Sequence, residues 1–316
     1  MVKPFEIGIS LSSSLVADRP ATAAAMMIER ASMAYASGLS SLSVGDHHAQ
    51  PKWYQQNTPI LGRLLAEWPD RRAGCLFLVP LWPPLLMAEH IATLAGLVDA
   101  PFIVQVGIGN GAGQFAALGK SLKNRGRHTD EAIGVVKALL AGETVESELL
   151  GMGPAAINPI PEHNIEWWIG GHAPAALWRA AKQGDVWYAG PGGASAAQQG
   201  LSAYRQAASQ AGTTPKAIIR RDVLALADGD RARSEAERIL NTGYRGLTMD
   251  SVLVGNPDEI AAQVMGLLDL ADPEGEPNGF DGLNIRCISP NQADALETIA
   301  IFGEVGLSLA AEASSD

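Results

Sequence analysis

The sequence predicts an α/β protein in which short strands alternate with helices around a parallel sheet. Three observations carry that prediction. Short β-rich runs recur along the whole chain, and stretches of helical periodicity stand between them, the signature of consecutive βα units. The third observation is length: 316 residues is about twice a typical domain, yet one barrel reaches this size. A barrel is therefore favoured, with an open doubly wound sheet as the alternative.

Eight runs read as strands: Phe5 to Leu11, Leu39 to Val44, Gly74 to Val79, Phe102 to Val106, Glu166 to Ile169, Val186 to Ala189, Ala217 to Ala227 and Gly282 to Cys287. The helical stretches carry an apolar stripe. After Arg127, residues Ile133, Val136, Leu139 and Leu140 recur at three- and four-residue spacing, with Asp130, Glu131 and Lys137 elsewhere and Gly142 as the stop. Two connections exceed what a βα unit needs. Gly107 to Glu166 holds a Gly-rich loop, a helix and the turn-rich GMGPAAINPIPEHN, while Asp228 to Gly282 holds two helical patterns and the polar turn ADPEGEPNG. Long connections in a barrel shape the active-site mouth. With no internal repeat or flexible linker, residues 1–309 are expected to form a single domain, and the tail Ala310 to Asp316 to fray.

Composition narrows the function. The apolar share of 47% fills a large core, and 23 Lys and Arg against 34 acids give a net charge of −11. That balance argues against nucleic acid or an anionic membrane as a partner. The N-terminus MVKPFEIGIS lacks a secretory layout and no run is long enough to span a membrane, so a cytoplasmic protein is expected. Cys75 and Cys287 are too few for a disulfide framework or cysteine zinc site and read as small buried hydrophobes.

The candidate chemistry begins at Ser43-Val44-Gly45-Asp46-His47-His48, where an acid and two imidazoles follow an apolar run. Histidine titrates near neutral pH and a neighbouring carboxylate can orient it, so His47, held by Asp46, is the candidate proton-transfer residue. The bland alternative is a solvated loop; the large aromatics Trp53 and Tyr54 just downstream favour function. In Gly107-Ile108-Gly109-Asn110-Gly111, alternate glycines permit close backbone approach to a flat or phosphorylated ligand. A dinucleotide fingerprint fits badly there, since no acid closes a following strand about twenty residues on. Trp167-Trp168-Ile169-Gly170-Gly171-His172 runs into a helix and suits a phosphate at a helix N-terminus. Adjacent pairs such as Glu89-His90 diverge on a helix, and no metal site is proposed. Neither a nucleophile elbow nor a Walker lysine motif is present.

Six segments in order resemble the luciferase-like superfamily of flavin- and deazaflavin-dependent oxidoreductases. They are GDHH, PLLMAEHIATLAGL, VQVGIGNGAGQFAALG, RGRHTDEAIGVVKALLAGETV, WWIGGHAPAALWRAAKQGDVWYAG and VGNPDEIAAQV, spread over nearly the whole chain. The resemblance implies a (β/α)8 TIM barrel with insertions after strands 4 and 7. It implies that His47 lies beside the cofactor's central ring and assists proton movement, with Asp46 on the ring's polar edge. Leu78 and Val79 match the place where the family often carries a non-prolyl cis peptide behind the ring. Gly107, Gly109, Asn110 and Gly111 border the cofactor's side chain, and Gly170, Gly171 and His172 its phosphate. Trp53, Trp82 and Arg286 are substrate-pocket candidates.

Within the superfamily, Gly170-Gly171 and Asp46-His47 followed by Gln50-Pro51 and Trp53 look more like the coenzyme F-420 branch than the FMN branch. The latter resembles Glu-Ser-x-x-Thr where this chain has Gly-Gly-His-Ala-Pro. The acid that sugar-phosphate dehydrogenases of the F-420 branch carry after the Gly-rich turn is absent from Gly111-Ala112-Gly113-Gln114-Phe115. That leaves reduction of an enone, imine or similar acceptor at least as well supported as sugar-phosphate oxidation. The expected function is hydride transfer between coenzyme F-420 and a small organic substrate. The alternatives are an FMN-dependent monooxygenase fed by a partner flavin reductase and a non-catalytic flavin-binding barrel. The resemblance also implies a homodimer.

Overall fold

The computed structural model describes residues 5–15, 17–49, 51–270 and 279–313. Gln50 and most of the polar turn ADPEGEPNG lie outside them, as does the end of the tail. Strand β1 (Glu6–Leu11), helix α1 (Pro20–Ala36), β2 (Ser41–Val44), α2 (Asn57–Leu64), β3 (Arg72–Leu78), α3 (Pro84–Ala95) and β4 (Phe102–Gly107) come first. The connection after β4 holds α4 (Ala112–Ala117), α5 (Arg125–Leu140) and an antiparallel hairpin of β5 (Val145–Ser147) and β6 (Met152–Ala155). Then follow β7 (Ile165–Gly170), α6 (Pro174–Gln183), β8 (Val186–Ala189), α7 (Ala194–Ala211) and β9 (Ala217–Ala225). The second long connection holds α8 (Gly229–Leu240), β10 (Val252–Gly255) and α9 (Pro257–Leu268), before β11 (Gly282–Cys287) and α10 (Gln292–Ala313).

Eight parallel strands close into a barrel in the order β1-β2-β3-β4-β7-β8-β9-β11, with β11 returning to β1. The two insertions stand after the fourth and seventh barrel strands, as expected. Proline at the first turn opens α1, α3, α6 and α9, where its missing N–H costs nothing. Asn256 and Glu259 add a reciprocal capping box to α9.

Three expectations change. β10 reads in sequence as part of a helical connection, because a four-residue apolar run has too little length to show its period. Its pairing with Asp222–Ala225, above the point where β8 leaves the β9 edge, makes it a strand. Part of the turn-rich segment is likewise strand β6, held by β5. The tail is helical through Ala313. Among the described residues, no helix is long and apolar enough to cross a membrane.

Strand side chains alternate between the helices and the barrel lumen. Ile9, Leu42, Cys75, Val104, Trp167, Trp187, Ile219 and Ile285 face the helical shell and are buried in the main core. Ile103, Trp168, Val186 and Ile218 form a separate apolar layer inside. At the N-terminal end of the strands, Arg72 bridges Glu6 at 2.6 Å and Glu166 at 3.5 Å, and the Trp168 indole donates to Glu166 at 3.0 Å. This ionic floor and the apolar layer above it fill the lower barrel. Cys75 and Cys287 are free and buried, as expected.

Candidate active site

The loops after β2, β3 and β4 meet around one carboxylate. The Asp46 side chain is 0% exposed. Its Oδ2 accepts the Leu78 backbone N–H at 2.8 Å and the Trp82 indole N–H at 2.9 Å. Oδ1 faces His48 Nε2 at 3.1 Å, off the straight hydrogen-bond line but in ion-pair contact. The His48 backbone N–H in turn donates to Gln114 Oε1 on α4 at 2.8 Å. The imidazole partner of Asp46 is therefore His48, where the sequence suggests His47. In an extended chain i and i+2 share a side while i+1 points away, and the contacts follow that alternation.

The two imidazoles are driven apart electrostatically. The close Asp46 carboxylate holds His48 above the ordinary histidine value, against its partial burial. His47 instead lies with its ring centroid 5.8 Å from that of Tyr54. Loss of water lowers its pKa, with the charge of Asp46 opposing and that of His48 assisting. His47 is half-buried, and its lowered pKa favours the neutral imidazole. Asp46, fully enclosed by three partners, has no open edge to offer a ring.

The Leu78–Val79 peptide is trans; the cis bond among the described residues is Asn158–Pro159. β3 passes directly into a short 3-10 turn, Val79–Leu81, whose approach is held by the Leu78 N–H bond to Asp46.

Glycines keep the rim of the barrel bare. A Cβ on Gly107 would come within 3.2 Å of Leu78 Cδ2, and one on Gly170 within 3.5 Å of both neighbouring strand carbonyls. Gly109 (φ +64) and Gly171 (φ +122) adopt conformations that side chains resist, and added Cβ atoms there would meet Phe115 at 3.0 Å and Ala176 at 2.7 Å. Asn110 is exposed and Gly111 precedes α4. The Gly171 carbonyl accepts the Trp187 indole N–H at 2.9 Å, and His172 stands edge-on to the same indole. His172 is lowered by burial and by Arg221 nearby. α6 starts two residues later at Pro174, which has no N–H, and its Ala176 amide donates to the Ala173 carbonyl at 2.8 Å.

Above the apolar layer the lumen turns polar. Asn284 Nδ2 donates to Ser43 Oγ at 3.4 Å, Arg286 donates to Ser10 Oγ at 2.6 Å, and the Tyr244 hydroxyl donates to Asp222 at 3.0 Å. Gln105 and the Tyr188 hydroxyl are buried neighbours, and among the described residues neither Gln105 Nε2 nor the Tyr188 hydroxyl has a well-aligned partner. A bare rim, orphaned polar atoms beneath it and a helix N-terminus to one side fit a planar heteroaromatic cofactor with a polar edge and a phosphorylated arm. Among the substrate candidates, Arg286 belongs to this lumen. Trp82 is tied to Asp46 and packs on Phe77 and His90. Trp53 is 38% exposed. Sequence reasoning missed Gln114, Tyr188, Arg220, Asp222 and Tyr244 as site residues. The signal for two of them is plain in retrospect: Arg220-Arg221-Asp222 interrupts an otherwise apolar strand.

Several known proteins are similar to this chain. Over 138 residues it is 30% identical to uncharacterized proteins of Mycobacterium tuberculosis and Mycobacterium bovis, a match covering 43% of this chain and 48% of theirs. The chain thus spans about half the length of the curated relatives it matches. The monooxygenase RslO1 from Streptomyces bottropensis superposes with a TM-score of 0.82 at 20% identity, covering 96% of this chain and 99% of that one. The FMN complex of the oxygenating constituent of 3,6-diketocamphane monooxygenase from Pseudomonas putida gives 0.79 at 15%, covering 95% and 97%. An F-420-dependent secondary alcohol dehydrogenase in complex with an F-420-acetone adduct gives 0.74 at 18%, covering 95% and 98%. These likenesses establish the shared barrel. Residues 5–265 match the family model of the luciferase-like monooxygenases, and the chain belongs to that family.

Proposed function

We propose that this protein is an oxidoreductase that binds coenzyme F-420 at the barrel mouth and transfers hydride between it and a small organic substrate. The observation that carries the reading is a half-buried His47 packed beside Tyr54 at a glycine-bared rim, with a Gly170–Gly171–His172–Ala173–Pro174 turn that offers no hydroxyl. When bound, the deazaflavin supplies or accepts the hydride at a ring carbon. Gly107, Gly109 and Gly111 let the backbone close on the cofactor's arm, and the Gly170–Gly171–His172 turn ahead of α6 holds its phosphate. His47 accepts the hydroxyl proton at its unprotonated ring nitrogen when an alcohol is oxidised, and returns it in the reverse direction. Asp46 is a positioning residue: with His48, Trp82 and the Leu78 amide it fixes the loop that presents His47. The protein is expected to act in the cytoplasm, as one barrel domain per subunit of a homodimer.

A second reading, an FMN-dependent monooxygenase served by a reductase, draws support from the likeness to RslO1 and to the diketocamphane enzyme. Fluorescence titration of the apoprotein with oxidised F-420, with FMN and with reduced FMN separates the two. The proposal expects tight binding of F-420 alone, retained within about threefold in His47→Ala, whose turnover falls by about 100-fold or more. Preference for reduced FMN, with oxygen uptake, replaces it with the monooxygenase. Binding without consumption of any substrate or oxygen supports a non-catalytic barrel.

A further inference from the structure

The upper lumen carries more buried positive charge than the protein neutralises. Arg220 on β9 and Arg286 on β11 both point into it, and the Nε of each is buried with no acceptor among the described residues. The acid on the same wall is Asp222. It already accepts the Tyr244 hydroxyl at 3.0 Å and faces Arg220 at 3.5 Å. Arg286 has a neutral partner, the Ser10 hydroxyl at 2.6 Å. Asp46 cannot serve, because the Leu78 amide, the Trp82 indole and His48 surround its carboxylate. Two guanidiniums thus share one carboxylate where water is scarce, a costly arrangement without a further anion.

Access to this charge is built in. A Cβ on Gly45 would lie 3.6 Å from the Arg286 guanidinium and 3.0 Å from the Tyr54 hydroxyl, so glycine at that position leaves both uncovered on the lumen side. Tyr54 links the spot to the proton-transfer residue, since its ring lies against His47. Burial pushes the Tyr54 phenol up to about 12, which keeps it a donor. Burial and the charges of Arg286 and Arg245 bring Arg220 down to about 10, the direction that excess positive charge imposes.

We propose that Arg286, with Arg220 and the Tyr54 hydroxyl, forms a subsite for an anionic oxygen group on the substrate, a carboxylate or a phosphate. The oxidoreductase inferred above, on which this substrate assignment rests, therefore acts on small organic acids in preference to neutral alcohols or carbonyl compounds. The anion sits one aromatic ring away from His47, so the reacting carbon stands close to the acid group.

Calorimetric titration tests the subsite without turnover, using benzoate, its neutral isostere benzamide and inorganic phosphate on the apoprotein and on protein saturated with the cofactor it binds. Benzoate or phosphate is expected to bind at one site, with benzamide weaker by about tenfold or more. Arg286→Met is expected to lose about tenfold or more of the anion affinity, Arg286→Lys to recover part of it, and both to bind cofactor within about threefold of the parent. Whichever of benzoate and phosphate binds more tightly identifies the carboxylate or the phosphate source. Should Arg286→Met not fold, Arg286→Lys and Ser10→Ala carry the test. Equal binding of benzoate and benzamide, no binding of either anion, undiminished affinity in the Arg286 variants, or displacement of cofactor by benzoate overturns the subsite. Failure of the protein to bind F-420 or FMN overturns the functional reading instead, whatever the anions do.

Discussion

Asp46 and His48 face each other across 3.1 Å, and that contact leaves the adjacent His47 without the carboxylate as its partner. The carboxylate accepts the Leu78 amide and the Trp82 indole on its other oxygen, so three loops converge on a group that only positions its neighbours in the mechanism proposed above. His47, between the two, is left facing Tyr54.

The two histidines should titrate on opposite sides of the ordinary value of about 6.5. NMR of histidine-labelled protein is expected to place His48 above and His47 below, with Asp46→Asn lowering His48. For stability the sign follows from the raised His48 value. The contribution of the pair is fully present below about pH 6.5 and is lost as pH rises through the folded pKa of His48. Thermal midpoints of the parent and His48→Gln should therefore differ more at about pH 5.5 than at about pH 8.5. A gap that widens with pH contradicts the pairing.

Trp82→Phe keeps an aromatic ring against Phe77 and His90 and deletes the indole donor to Asp46. Urea unfolding should register a loss of about 1.5 to 3 kcal/mol, the range for a hydrogen bond to a charged group. Unchanged stability means that the loop is held by other contacts.

Gly171→Ala places a Cβ at 2.7 Å from that of Ala176 on a backbone with φ +122. The expected cost is about 1 to 3 kcal/mol, with cofactor affinity reduced because the strand-to-helix turn must move. Gly113→Ala, whose Cβ meets nothing within 4 Å, is the control and should leave cofactor binding as it was.

Arg72→Met removes the cation between Glu6 and Glu166 at the opposite end of the barrel. Leaving two carboxylates without it should cost about 3 kcal/mol. The kinetic constants of the folded enzyme should stay within about twofold of the parent, because barrel chemistry belongs to the C-terminal ends of the strands. A change in KM or kcat larger than the change in folded fraction speaks against that division.

The alternation of β-rich runs with helical stripes was enough to determine a parallel βα fold, and the glycines and the Asp-His-His cluster are motifs that the structure places at the C-terminal ends of the barrel strands. These are local signals: they depend on period, turn chemistry and side-chain type within a dozen residues. Only the tertiary structure decided what depends on distant neighbours. It paired Asp46 with His48 and with Leu78 and Trp82, more than thirty residues away. It made strand β10 out of four residues by laying them on β9, and it kept the Leu78–Val79 peptide trans. It also gathered Ser10, Tyr54, Arg220 and Arg286 from four separate stretches of chain into one lumen. Closing a barrel brings first and last strands side by side, and the resulting balance of buried charge is a property of the enclosed space that no stretch of sequence carries alone.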